Sequence, residues 1–110
     1  MSEIVVVAIV TAAEGKGAEV EELITRSLVP PTHDEDGCIT FALHRDVSDP
    51  RRLVLVERWA SREALDRHLA TEHLAAFRAA VGPLSGAAAQ VVVMEAVPCG
   101  HSAKGVLAEV

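Results

Sequence analysis

Apolar positions recur along the chain at spacings that alternate between strand and helix. Ile4 to Thr11 (IVVVAIVT) is β-branched and apolar on both faces, as expected of a strand inside a sheet. Ala12 to Gly17 is small and polar and suits a turn. Val20, Leu23, Ile24 and Leu28 then fall at helical spacing, with Glu19, Glu21, Glu22 and Arg26 opposite. Pro30 and Pro31 have no amide hydrogen to donate and are expected to end this helix. Thr32 to Gly37 (THDEDG) should follow as a polar loop. Cys38 to Arg45 alternates, with Ile39, Phe41 and Leu43 on one face and Thr40, Ala42 and His44 on the other. Asp46 to Arg51 (DVSDPR) has the composition of a hairpin loop. Arg52 to Trp59 returns as a strand that places Leu53, Leu55, Glu57 and Trp59 on a common face.

Ser61 is a suitable N-cap for a second helix, with Glu63 in its first turn. Thr71 can cap a further stretch in which Leu74, Phe77 and Val81 align before Gly82 and Pro83 stop it. Gln90 to Val97 (QVVVMEAV) predicts a last strand, and Pro98 to Val110 is a mixed tail. The order strand, helix, strand, strand, helix, strand is the split βαβ pattern of a ferredoxin-like α+β fold. Its antiparallel sheet should carry both helices on one face, in a domain over residues 3–97 followed by the tail 98–110. The first and last strands are nevertheless apolar on both faces. A lone subunit would leave the second face wet, at roughly 25 cal/mol per Å² of apolar area. A homodimer pairing two such sheets is the expected remedy.

A chain of 110 residues suits one domain, and half of its residues are apolar. With two Phe, one Trp and no Tyr, the core must rest mainly on Val, Ala and Leu. The net charge is −6 and no cluster of Lys and Arg interrupts it, so neither nucleic acid nor an anionic membrane is an expected partner. The apolar run from Ile4 to Val10 is too short to span a bilayer, and no basic segment precedes it. Cys38 and Cys99 share no metal-binding spacing and are read as reduced thiols, which places the protein in the cytoplasm. There is no P-loop, GxGxxG or nucleophile elbow, so nucleotide-dependent and Ser-hydrolase chemistry have no support.

The centre of the chain carries a spaced set of residues. Gly37-Cys38 precedes the alternating strand, then come Asp49-Pro50, Glu57-Arg58-Trp59, Ser61, Glu63-Ala64-Leu65, His68 and His73 ahead of Phe77. In this the chain resembles the antibiotic biosynthesis monooxygenases, small dimeric α+β barrels that include quinol monooxygenases. The resemblance covers roughly residues 3 to 97 and implies a cavity between sheet and helices in each subunit. It implies oxygenation of a small, planar, electron-rich aromatic or quinol-type substrate by molecular oxygen, with no metal or flavin. The protein would supply a base, a dry pocket and orientation. Three departures from relatives matter. The chain has no Asn and no Tyr, so an Asn–Trp–Tyr arrangement cannot be assembled, and Phe41 stands where many relatives carry Tyr. The first-strand Asn of the haem-degrading branch is likewise missing from Ile4-Val5-Val6-Val7.

Within that frame His68, which shares a helix face with Leu65 and borders Leu69, is the leading base or else a packed core histidine. His73 is an accessory polar group or a structural contact near the helix break. Phe41 and Phe77 are expected as apolar pocket wall, Trp59 as pocket wall or as a core aromatic, and Glu57 as a substrate-facing or ion-paired carboxylate. In one continuous helix, His68 and His73 would point about 140° apart. A break at Thr71 could change that, yet no third ligand is evident and no metal site is expected. Cys38 reads as a small buried hydrophobe, His33 as a solvated loop residue and His44 as an exposed or interface residue of unreadable function. The short spacing of Cys99 and His101 finds nothing in the tail to complete a metal site. Readings from other functional classes are a non-catalytic dimer that binds a small apolar ligand, and an isomerase or cyclase using the same pocket.

Overall fold

The computed structural model describes residues 3–107. Four strands, β1 (Ile4–Thr11), β2 (Cys38–Asp46), β3 (Asp49–Trp59) and β4 (Gln90–Met94), form one antiparallel sheet in the order β2-β3-β1-β4. The apolar β1 lies inside it, with Ile4 opposite Trp59 on β3 and Val5 opposite Met94 on β4. Ile4, Val6 and Val10 of β1 join Leu53, Leu55 and Trp59 of β3 and Phe41 of β2 in the core beneath the helices. This is the ferredoxin-like α+β fold expected. Among the described residues no helix is long and apolar enough to cross a membrane.

The first helical stretch departs from expectation. α1 (Gly17–Leu23) passes into a π-helical segment (Ile24–Leu28) and then α2 (Val29–His33), so Pro30 and Pro31 do not end it. The π turn closes with the Val29 N–H bonded to the Ile24 carbonyl. Both prolines then occupy the first turn of the resumed helix, where a missing amide hydrogen has least consequence. The wider turn also corrects the drift of a four-residue repeat, which advances about 40° per step in an α-helix. Val20, Ile24, Leu28 and Thr32 all remain buried as a result. Thr32 and His33 are therefore helical, and the loop shrinks to residues 34–37.

The hairpin is also tighter than expected. β3 begins at Asp49, and only Val47 and Ser48 separate the two strands. A bulge between Cys38 and Thr40 breaks the alternation of β2. Cys38 takes the inward position opposite Trp59, while Ile39, expected inside, is 45% exposed. β4 stops at Met94 rather than Val97.

After β3, Ser61 caps α3 (Arg62–Leu69) by accepting the Ala64 N–H at 3.1 Å. Thr71 then caps α4 (Glu72–Val81) through the Leu74 N–H, and its hydroxyl donates to the His68 carbonyl at 2.8 Å. The extended backbone at Thr71 separates the two helices and re-aims everything after it. On the opposite side of the sheet Val7, Ile9, Val54 and Val56 are half-buried and Val92 of β4 is exposed, while Val91 and Val93, also exposed, lie on the helix side.

Gly37 holds φ +86°, and an added Cβ would lie 2.5 Å from the Ala64 Cβ. Gly15 holds φ +79° with open space around it. Gly37→Ala is expected to lower stability by roughly 2 kcal/mol, from strain and clash together, and Gly15→Ala by about 1 kcal/mol from strain alone. Urea unfolding midpoints at unchanged slope measure both.

Candidate functional site

An apolar cavity of about 150 Å³ lies between the sheet and α3–α4. A cavity of roughly this size can take up one benzene ring. Val6, Val10, Leu55, Leu65, Leu74 and Phe77 supply much of its wall, and Phe41 closes the β2 side. Leu69, Arg78, Ala87 and Ala89, all exposed, border it toward solvent. Two buried polar side chains reach the lining: His68, 3% exposed, and Glu57, 4% exposed.

His68 is held from behind. Its Nδ1 lies 2.8 Å from Glu35 Oε2, and its ring packs against Trp59, tilted by 37° with 4.6 Å between centroids. Because a carboxylate oxygen accepts, Nδ1 carries the ring hydrogen, and Nε2 keeps a lone pair for the cavity. His73 reaches the same oxygen, its Nε2 donating to Glu35 Oε2 at 2.8 Å with Thr32 Oγ1 at 3.3 Å.

The sequence alone gave no means of choosing Glu35 from the acidic run Asp34-Glu35-Asp36. What selects it is backbone. α2 continues past the prolines, and the Glu35 N–H bonds to the Thr32 carbonyl at 3.0 Å. Gly37 then turns the chain, and its carbonyl accepts the Ala60 N–H at 2.8 Å. The left-handed glycine was the available sign that this loop is fixed. Arg78 and Ser85, at the edge of the cavity, were also not singled out.

Several expectations need correction. Trp59 is fully buried and lies behind the lining, where it supports His68 and Phe41. His73 also stands outside the cavity and touches His68 only through Glu35 and a ring contact at 6.2 Å. The partner of Glu57 is the Trp59 indole N–H, which donates to Oε1 at 2.9 Å, in place of the ion pair anticipated. A third candidate ligand beside the histidines does exist, and it is Glu35. His33 is not simply solvated, since its Nε2 bonds the Phe41 carbonyl at 3.0 Å. Phe41, Phe77, Glu57 and His68 do come together at the cavity. His44 is exposed on the opposite face of the sheet.

Two groups have displaced acidities. Burial pushes the Cys38 thiol up to about 11, helped by the nearby Glu35 and Glu57 carboxylates, so it stays protonated. Burial also raises Glu57 to about 7, against the opposing hydrogen bond from Trp59, and the Glu35 charge adds to the rise. Near neutrality Glu57 can therefore donate a proton into the cavity. The folded state binds this proton more tightly than the unfolded chain, so stability should fall as pH rises from about 4.5 to about 7. The full difference is on the order of 3 kcal/mol. Glu57→Gln should flatten that part of the stability profile, as measured by denaturant unfolding at a series of pH values.

Comparison with known proteins agrees with this architecture. Residues 3–80 match the family model described as antibiotic biosynthesis monooxygenase. Rv0793 of Mycobacterium tuberculosis, provisionally named a monooxygenase, is 43% identical over 58 residues, which span 53% of this chain and 56% of that protein. The solved structure of Rv0793 superposes with a TM-score of 0.78 at 31% identity, covering 92% of this chain and 99% of that one. PA3566 from Pseudomonas aeruginosa gives a TM-score of 0.81 at 29% identity, covering 88% of this chain and 96% of that one. With more than two-thirds of its length matched by the family model, the chain belongs to the antibiotic biosynthesis monooxygenase family.

Proposed function

We propose that the protein is a cofactor-independent monooxygenase acting on a small, planar, electron-rich aromatic or quinol-type substrate. The observation that carries the reading is His68: one ring nitrogen is tied to Glu35 and the ring lines an apolar cavity sized for one aromatic ring. Family membership and the provisional name of Rv0793 support the same class.

In this reading Nε2 of His68 takes a proton from the substrate, and the Glu35 carboxylate offsets the positive charge the ring gains. The resulting carbanion or phenolate passes one electron to molecular oxygen, and the radical pair combines to a carbon-bound peroxide. For a methylene carbon, protonation and loss of water from the peroxide leave a carbonyl, so one oxygen atom enters the product and the other leaves as water. Protonated Glu57 can donate to a substrate oxygen. Phe41 and Phe77 hold the ring in place. Trp59 and His73 act through the side chains they support, and the functional unit is residues 3–97 with 98–110 as an appendage.

A homodimer belongs to the same proposal. Val7, Ile9, Val54 and Val56 face away from the helices, and a second sheet would cover them. Val56→Asp should convert a dimeric wild type to folded monomers in sedimentation analysis. A monomeric wild type, or a variant of unchanged mass, would rule the pairing out.

Oxygen uptake by chelator-treated protein with a panel of anthrones and dihydroquinones, corrected for autoxidation, tests the activity. His68→Ala should lower kcat by about 10²–10⁴-fold. Glu35→Gln should lower kcat with KM nearly unchanged, since Glu35 meets the ring and not the substrate. Saturable quenching of Trp59 fluorescence without oxygen uptake would mark a binding module instead. Product formed under anaerobic conditions would mark an isomerase or cyclase.

A further inference from the structure

Behind the cavity wall, three elements bring metal-ligating atoms together. Glu35 Oε2, from the turn after α2, lies 2.8 Å from both His68 Nδ1 on α3 and His73 Nε2 on α4, and one ligand atom from each of the three residues falls within 4.8 Å of the others. The helix break at Thr71 makes this possible, because one continuous helix would keep the two rings apart. Two imidazole nitrogens and a carboxylate oxygen are a natural donor set for zinc-like divalent ions. Both rings now aim hydrogens at the same carboxylate oxygen, and Thr32 Oγ1 crowds one of them at 3.3 Å. One divalent ion can replace both ring hydrogens. Ligand atoms about 2.0–2.1 Å from a tetrahedral ion lie roughly 3.3 Å apart, so the two 2.8 Å contacts must open by about half an ångström. His73, with 23% of its side chain exposed at the start of α4, has room to give.

We propose that Glu35, His68 and His73 form a binding site for a divalent zinc-type ion, and that occupancy reverses the hydrogen-bonding character of His68 toward the cavity. Without the ion Nδ1 carries the ring hydrogen and Nε2 accepts. A neutral imidazole that gives its Nδ1 lone pair to a metal carries its hydrogen on Nε2 instead. The cavity-facing nitrogen then becomes a donor and cannot take a proton. The ion does not need to meet the substrate, since neither Glu35 nor His73 lines the cavity. This sets the site apart from an oxygen-activating iron centre, which needs open positions on the substrate side. Binding of the ion is independent of the proposed oxygenase; the loss of a base rests on that reading.

The test titrates chelator-treated full-length protein with Co²⁺, follows the visible d–d absorption, and displaces the ion with Zn²⁺. Saturable binding of one ion per chain is expected, weakened at least ~10-fold in Glu35→Gln and in His73→Ala, and unchanged in His101→Ala. No saturable binding, equal binding in the first two variants, or loss in His101→Ala would overturn the site. Circular dichroism checks folding, with His73→Gln replacing any variant that fails. Ring nitrogen NMR of the Zn²⁺-loaded protein should show the His68 hydrogen on Nε2. A hydrogen retained on Nδ1 with the ion bound would overturn the reversal. If His68→Ala leaves turnover intact while Co²⁺ binds wild type as expected, the base reading fails and the ion site stands.

Discussion

A buried imidazole must have its nitrogens partnered or facing space that a ligand can fill, and the functional reading of this protein depends on how His68 meets that requirement. Its ring is almost wholly enclosed, packed against Trp59 and bonded through Nδ1 to Glu35. That single contact assigns the hydrogen, fixes the ring and leaves the other nitrogen for an apolar space. Much of the surrounding backbone serves it. The π turn lets the first helical stretch run past two prolines, the left-handed Gly37 turns the chain after Glu35, and the Thr71 cap brings His73 to the same carboxylate. The cavity and the carboxylate behind it are two sides of one wall.

The same wall separates two kinds of environment. On the cavity side aliphatic and aromatic groups prevail, and the carboxyl of Glu57 is pushed toward neutrality by burial. On the other side two histidines reach Glu35, and the Thr32 hydroxyl meets the second of them, His73. In the proposed reaction the two acidic residues divide the work: Glu57 faces the cavity as a proton donor, while Glu35 holds His68 from behind. A chain without Tyr or Asn has few other polar groups to place in such a pocket.

The sheet was legible because strand signals are local. Alternation placed Leu53, Leu55, Glu57 and Trp59 on one face, and all four are buried there. Ser61 and Thr71 were readable as caps from residue type and position alone. The site was only partly legible. Phe41, Glu57, His68 and Phe77 could be collected from periodicity and family resemblance, but Glu35 could not, because an acidic loop gives no periodicity to read. Its place depends on a π turn that neutralises the usual meaning of Pro30 and Pro31. Ile39 fell on the wrong face for a similar reason: a one-residue bulge is invisible to a pattern of period two. Trp59 was sorted to the correct face, yet the face does not say whether a ring lines a cavity or backs it.

The hydrogen position on His68 is the most direct point of contact with experiment. Long-range proton–nitrogen NMR of the histidine rings in chelator-treated protein near neutral pH reports which nitrogen of the ring bears the hydrogen. The expected spectrum shows His68 as the Nδ1–H form in wild type, with that preference weakened in Glu35→Gln. A wild-type His68 found with its hydrogen on Nε2 would leave no acceptor facing the cavity and would contradict the assignment of this residue as the base.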